Sequence, residues 1–544
     1  MEEILSGKTG EKIILLGNNA IVRGALESGV QFVSTYPGTP ASEVGNTFFR
    51  IAQEAGVYFE YSTNEKVALE AGAGASFSGL KTLVAMKNFG LNVASDFLMP
   101  LCYSGIKGEM VILVADDPSC WSSAQSEENT RGFANLAHIP ILEPSDPQEC
   151  KDFTKLGFEL SKKFKIPVMI RETTRVALQA APVRLEKIVK AKGKAKFVKD
   201  PHQFSTMPPR VLEMKSELLE KIEKMRKISE KSPLNQIKGG SKSAKMGIIT
   251  SGISYLYVTE ALKELNLKMP VFKLGFFNPL PEKKIQKFIK KLKKVLIVEE
   301  LEPYLEKEIE RLSKNINPKL QIWGKNVLPV TGELKPEYVV SALTKFANTK
   351  SKFNFKSHLR KFKKLEIEKR FPQLCPGCPY WLIFSTVKKL APKGTIFGGE
   401  IGCYMLAAYP PHKMQDYLFC MGSSTGIAHG IKKATNQKVI AFVGDSSFFH
   451  AGIPALINTI SNKSNPLIII MNNRTTAMTG QQPHPGSPAK GEGIKIEDIV
   501  RALGVKYVKT IDPINVKEFE QTIKEFLEKE EVSVIIARRA CIRL

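Results

Sequence analysis

Along residues 1–182 the apolar positions come in short runs separated by stretches with helical spacing. The runs IILLG (13–17), QFVSTYPG (31–38), KTLVAMK (81–87), MVILVAD (110–116) and IPVMIRET (166–173) are bounded by polar or turn residues. They predict strands, the second one running into a turn. Residues 18–28 and the Ala/Gly-rich 65–79 predict helices, the latter packed tightly. Apolar strands alternating with helices predict a parallel sheet covered on both faces. The alternation returns in MGIITSG (246–252), PVFKLGF (270–276) and KVLIVEE (294–300), and again in KVIAFVG (438–444) and PLIIIMN (466–472). Between these blocks lie Lys-rich stretches, the first with breakers at Pro208-Pro209 and Gly239-Gly240 and an amphipathic helix near 211–230. The expected organisation is α/β: a block at 1–182, a basic connector at 183–245, a block at 246–348, a second basic connector at 349–370, and a block at 371–544.

A length of 544 residues suits three or four domains. With 43% hydrophobic and 24% charged residues, wholesale disorder is excluded. No apolar run approaches a membrane span, and the start, MEEILSGKTGEK, lacks the apolar region of a secretory signal. Eight cysteines are too sparse for a disulfide scaffold, so a reducing cytoplasm is expected. The net charge of +25 is concentrated in 183–245, 282–294 and 349–370, which together carry +23. Such segments are either solvated Lys-rich surfaces or a face for an acidic partner. No zinc-finger spacing or RNA-binding aromatic motif accompanies them, which argues against nucleic acid.

The densest chemistry lies in GDSSFFHAGIPALINTISNKSNPLIIIMNNRTTAMTG, 444–480. Asp445 directly follows one strand and Asn473 another. Adjacent parallel strands would bring these carboxyl ends together, in the place where such sheets bind ligands. A carboxylate, an amide oxygen and a nearby backbone carbonyl suit a hard cation such as Mg²⁺, which typically bridges to phosphate oxygens. Gly444 permits close backbone approach, and the following helix could present amides to the same phosphates.

Gly-Asp followed after 25–30 residues by Asn-Asn is a thiamine diphosphate signature. With GDSSFFHAGIPALIN, NNRTTAMTGQQPHPG, CPGCPYW, TYPGTPASE and NEKVALEAGAGAS in order, the chain resembles the alpha subunit of indolepyruvate ferredoxin oxidoreductase over nearly its whole length. The resemblance implies a thiamine diphosphate-binding fold with a pyrimidine-binding domain, a transketolase-C-terminal-like middle domain and a diphosphate-binding domain, with the cofactor between the first and last. It implies that Asp445, Asn473 and the Thr475 carbonyl ligate Mg²⁺, and that Ser446, in a Gly-Asp-Ser where many relatives have Gly-Asp-Gly, gives a hydroxyl to phosphate. Glu65 would be the acid that serves the cofactor's aminopyrimidine; otherwise it is an N-terminal helix carboxylate. Thr39, in Tyr36-Pro37-Gly38-Thr39-Pro40, would contact the 2-oxoacid, or else belongs to a rigid turn; Lys87, Asn88 and Asn92 are further candidates for the substrate carboxylate.

Cys375, Cys378, Cys403 and Cys541 match the arrangement in which related enzymes hold a 4Fe–4S cluster near the thiamine. Four thiolates without His fit a cluster, although zinc and free thiols satisfy the same spacing. Cys102, Cys120, Cys150 and Cys420 read as core residues. Gly422-Ser-Ser-Thr-Gly426 matches a hydrolase elbow but reads better as a small-residue loop against the cofactor, with Gly422 and Ser423 in contact with it. Gly72-Ala-Gly74 lies inside a helix and is no dinucleotide fingerprint. His450 and His484 read as structural or acid–base groups.

The implied activity is oxidative decarboxylation of aryl-2-oxoacids to the acyl-CoA and CO₂, with electrons passed to ferredoxin. The implied partners are a beta subunit, coenzyme A, and ferredoxin or a separate ferredoxin-like subunit, the family's usual C-terminal ferredoxin-like domain being expected on another polypeptide unless the sequence is a piece of a longer chain or one inner cluster serves ferredoxin directly. Non-oxidative arylpyruvate decarboxylation and a non-catalytic scaffold are the alternatives.

Overall fold

The computed structural model describes residues 3–190, 195–241, 243–351, 357, 360–362, 364–365, 368 and 370–544. Much of the basic stretch 349–370 therefore lies outside the described residues. The chain divides into two compact units, Met1–Glu366 and Ile367–Leu544.

The first unit is built on a seven-stranded sheet. Its strand order is Phe276–Asn278, Ile141–Leu142, Val168–Thr173, Glu109–Asp116, Lys81–Lys87, Phe32–Thr35 and Tyr58–Tyr61. All neighbours are parallel except the first pair. Val168–Thr173 is buried along its whole length, as expected where helices cover both faces. Two features depart from the sequence expectation. Strand Lys12–Leu16 stands outside this sheet and pairs antiparallel with Ala180–Arg184. Its partly exposed, alternating burial suits a two-stranded ribbon better than a buried parallel strand. Strand Phe276–Asn278, from the middle block, crosses over to cap the front sheet through its pairing with Ile141–Leu142.

A second, five-stranded sheet runs Gln321–Trp323, Lys294–Val298, Met246–Ser251, Val271–Leu274 and Gln236–Lys238. Its last strand is antiparallel and comes from the stretch expected as a connector. The same stretch supplies helix Arg210–Lys231, which buries Met214, Leu218, Ile222 and Met225. These apolar residues recur every three to four positions, so a Lys-rich helix still has a core-facing stripe. Residues 183–245 are thus largely part of the packed unit.

The second unit holds a six-stranded, wholly parallel sheet: Tyr417–Leu418, Ile396–Gly399, Val439–Gly444, Leu467–Asn472, Ser533–Arg538 and Tyr507–Ile511. Val439–Gly444 and Leu467–Asn472 are neighbours, with Gly444 opposite Met471. Both are fully buried runs whose carboxyl ends therefore open at the same level.

Candidate functional site

That register places Asp445 beside the Asn472–Thr475 turn. Asp445 begins a helical segment that continues through a wide turn at Phe448–Gly452 into helix Ile453–Ser461. Its Oδ1 accepts the Ser446 N–H at 2.9 Å and its Oδ2 accepts the Arg474 N–H at 2.8 Å. Asn473 Oδ1 accepts the Thr475 N–H at 3.1 Å. Asp445, Asn473 and Thr475 are all buried. Arg474 adopts a left-handed φ of 63°, which turns the chain sharply between Asn473 and Thr475.

His484 completes this group. Its Nδ1 accepts the Gly486 N–H at 3.1 Å, so the neutral ring carries its proton on Nε2. Nε2 lies 3.2 Å from Asp445 Oδ2, a contact that is not aligned as a hydrogen bond. A buried nitrogen left without an aligned partner, facing a carboxylate, suits a site that accommodates one further group. The donor set of carboxylate, amide oxygen and backbone carbonyl fits Mg²⁺. Among the described residues, no three His, Cys, Asp or Glu side chains already form a metal-holding cluster.

The four cysteines lie in one neighbourhood of the same unit. Helix Pro379–Leu390 starts directly after the Cys375–Cys378 turn, and Cys403 opens the short helix Cys403–Ala408 beyond strand Ile396–Gly399. The Cys541 N–H donates to Asn473 O at 3.0 Å, which ties the C-terminal segment to the strand end carrying the Asn-Asn pair. Burial pushes the Cys403 thiol up to about 12, and Cys378, Cys541 and Cys375 push it further in the same direction. Cys378 is raised for the same reasons, burial first. Burial pushes the Tyr380 phenol well up, and Asp445, Cys403, Cys378 and Cys541 add to that rise. Burial and the neighbouring thiols thus make Cys378 and Cys403 resist ionisation, and a bound cation removes such a penalty. An open groove of about 610 Å³ runs beside the turn, lined by Leu374, Cys375, Trp381 and Arg543 among others.

Gly422 and Ser423 sit at the start of helix Ser423–Ala434. Gly422 has φ 81°, and a side chain there would collide with the Ala451–Gly452 backbone, so only glycine allows this contact. The Ser423 hydroxyl donates to Cys420 O. Cys420 itself is exposed and Cys120 half-buried, whereas Cys102 and Cys150 are buried; the core reading holds for the latter two. The space above Gly444 is filled by the Tyr404 ring, 2.8 Å from where a Cβ would stand.

In the first unit, Glu65 is the first residue of helix Glu65–Phe77. The cap is Asn64, whose side chain accepts the Val67 N–H at 2.9 Å. Glu65 is buried and lies against Gly90: a Cβ at Gly90 would stand 2.5 Å from Glu65 Cγ and 2.9 Å from Oε1. The carboxylate is thus packed into the first turn of helix Asn88–Ser104. Thr39 Oγ1 lies 3.3 Å from Ser42 Oγ, and Thr39 O accepts the Ser122 hydroxyl at 3.4 Å. Lys87 packs under the same loop, donating from Nζ to Ser122 O at 2.8 Å; burial draws its ammonium down to about 8. Asn88 is wholly buried, and neither of its amide atoms has a partner among the described residues. Asn92 donates to Glu128 and is less enclosed. The Ser122 and Asp117 contacts of this loop were not readable from sequence, since they join residues 30 to 83 positions apart.

Residues 23–231 match the family described as pyruvate flavodoxin/ferredoxin oxidoreductase, thiamine diP-binding. Residues 236–357 match the indolepyruvate oxidoreductase domain, and 400–537 the thiamine pyrophosphate enzyme C-terminal TPP-binding domain. The chain is 42% identical to the indolepyruvate oxidoreductase subunit IorA of Methanothermobacter thermautotrophicus, covering 99% of this chain and 88% of that one. It is 43% identical to IorA of Pyrococcus horikoshii, covering 99% and 87%. The chain belongs to the IorA family. As an IorA-family protein it is a thiamine diphosphate-dependent oxidoreductase, and neither the non-oxidative decarboxylase nor the scaffold reading is favoured. The 2-oxoglutarate:ferredoxin oxidoreductase from Magnetococcus marinus shares the fold, with a TM-score of 0.51 at 19% identity over 61% of this chain and 65% of that one. Among the described residues no helix is long and apolar enough to cross a membrane.

Proposed function

We propose that the chain is the catalytic subunit that oxidatively decarboxylates an aryl-2-oxoacid of the indolepyruvate type, forming the acyl-CoA and CO₂ and passing electrons to ferredoxin or a ferredoxin-like subunit. A small beta subunit completes the assembly. The observation that carries this reading is the near-full-length identity to IorA proteins, joined to the convergence of Asp445, Asn473 and Thr475 at neighbouring strand ends. Thiamine diphosphate, when bound, supplies the carbon nucleophile and electron sink that a 2-oxoacid needs to lose CO₂.

The chain's own residues then have distinct tasks. Asp445, Asn473 and the Thr475 carbonyl hold Mg²⁺, with Gly444 and Ser446 framing the diphosphate. Glu65 holds a proton against the aminopyrimidine from a buried position fixed by Gly90. Thr39 and Lys87, with Asn88 behind them, receive the substrate carboxylate; Lys87 offers an ammonium that burial draws down to about 8. Cys375, Cys378, Cys403 and Cys541 hold one 4Fe–4S cluster, a set of four thiols with no His. Residues 1–182 form the pyrimidine-binding domain, 246–348 the transketolase-C-terminal-like domain and 371–544 the diphosphate-binding domain, in the cytoplasm.

The test is an anaerobic assay of the purified chain with its beta subunit. Indolepyruvate, coenzyme A and ferredoxin should give CO₂, acyl-CoA and reduced ferredoxin together. Release of free aldehyde without acceptor reduction would refute the oxidative reading.

A further inference from the structure

A fully buried carboxylate lies beside the proposed diphosphate cradle and has no part in the tasks above. Glu400 follows strand Ile396–Gly399. Its Oε1 accepts the Tyr404 hydroxyl at 2.8 Å, and its Oε2 accepts the Ser424 backbone N–H at 3.3 Å. The Ser447 hydroxyl and the Gly422 N–H lie close enough to favour the charged carboxylate electrostatically. Ser424 lies in the first turn of the twelve-residue helix Ser423–Ala434. A helix N-terminus presents unsatisfied N–H groups and partial positive charge, so it draws an anion. Here the anion is supplied by the chain itself.

Three contacts connect this carboxylate to the rest of the site. The Tyr404 ring fills the space over Gly444, and its hydroxyl lies 3.4 Å from Ser447 Oγ, so the residue Glu400 holds also bears on the turn that presents Asp445. Gly422 packs on the Ala451–Gly452 backbone of the same helical segment. Tyr404 directly follows Cys403 in the chain. The Ser424 hydroxyl, fully buried, has no partner among the described residues and adds an unmet polar atom at this helix terminus. Burial pushes the Glu400 carboxyl up to about 7, and the Tyr404 hydroxyl, the Ser424 N–H, Ser447 and Gly422 oppose that rise.

We propose that Glu400 is a positioning residue: it anchors the Gly422–Ser424 turn directly and the Gly444–Ser447 turn through Tyr404, so Gly422 and Ser424 serve this internal carboxylate rather than the diphosphate. This inference rests on the proposal that the Asp445–Thr475 region holds thiamine diphosphate with Mg²⁺. Loss of a group that orients the residues around a metal typically costs about 10–100-fold in metal affinity.

The full-length chain and its E400A, E400Q and Y404F variants are titrated calorimetrically with thiamine diphosphate and Mg²⁺. The melting temperature of each is recorded without cofactor. E400A should bind about tenfold more weakly or worse. Sodium formate, small enough to fill the vacated place at the helix terminus, should restore several-fold of that loss in E400A and leave the unaltered chain unchanged. A side chain that merely fills space would give no such rescue. Unaltered affinity in E400A overturns the proposal, as does a loss that formate fails to restore in a variant melting within a few degrees of the original. Should E400A not fold, E400Q and Y404F decide: weakened binding in both, at little-changed melting temperature, upholds the proposal, and unaltered affinity in either overturns it. Failure of the unaltered chain to bind cofactor refutes the cofactor reading instead, so the two failures are told apart.

Discussion

His484 Nε2 sits 3.2 Å from Asp445 Oδ2, with both side chains buried. The opposite ring nitrogen is held by the Gly486 N–H, so the imidazole cannot turn away without leaving that amide unpaired. Asp445→Ala should abolish Mg²⁺-dependent binding of thiamine diphosphate, because the diphosphate would lose its metal. His484→Ala should leave binding measurable but weaker by about 10–100-fold, as for other groups that orient a metal ligand. Calorimetric titration checks both, and unchanged affinity in the Asp445 variant sinks the metal assignment.

Glu65→Gln should keep cofactor affinity and lose about 10²–10⁴-fold of turnover, the usual contribution of one proton-transfer group. Because Asn64 already caps the helix, the loss should come without a matching fall in melting temperature. Gly90→Ala should push the carboxylate from its place and mimic the Gln variant in turnover. Near-normal turnover in Glu65→Gln would reduce this carboxylate to a packing role.

The cysteine reading is tested by metal content. Protein purified anaerobically should carry about four iron atoms per chain with a broad visible absorbance. Cys403→Ser and Cys541→Ser should each strip most of it. Zinc in place of iron, or serine variants with full iron content, would refute the cluster.

Glu172 gives a pH test in the first unit. Burial pushes its carboxyl up to about 8, with Glu43 adding to the rise and Cys150 opposing it. The unfolded chain releases that proton near the ordinary value of about 4.3. Between those values the folded state holds the extra proton, so this group's stabilisation is complete below about 4.3 and is lost as pH rises through about 8. Glu172→Gln should flatten that decline, by at most about 1.4 kcal/mol per pH unit. Chemical denaturation at several pH values measures it; an unchanged slope would mean the group is solvated.

The buried parallel strands were legible in the sequence because they read as unbroken apolar runs. The Asp445–Asn473 juxtaposition was legible because two such runs end at those residues. Three features were not. Strand Lys12–Leu16 is as apolar as its neighbours, so only its partner Ala180–Arg184 reveals that it leaves the main sheet. The helix Arg210–Lys231 hides a core stripe under lysines, and charge counting alone calls it a linker. Glu400 carries no local signal: its importance comes from Ser424, Tyr404 and Ser447, brought together by the sheet from up to 47 residues away. Cys420 read as core because its neighbours are apolar, yet it lies on an exposed loop before a helix.

Strand Phe276–Asn278 has a consequence for biosynthesis. The front sheet is covalently ready once residue 173 has been made, but its Ile141–Leu142 edge has no partner until about a hundred further residues emerge from the ribosome. At roughly 5–20 residues per second that edge stays open for seconds. An uncovered edge recruits other strands, so this interval is when the nascent chain is most prone to misassociate. A fragment ending at residue 245 would keep that edge open permanently, however complete its own strands.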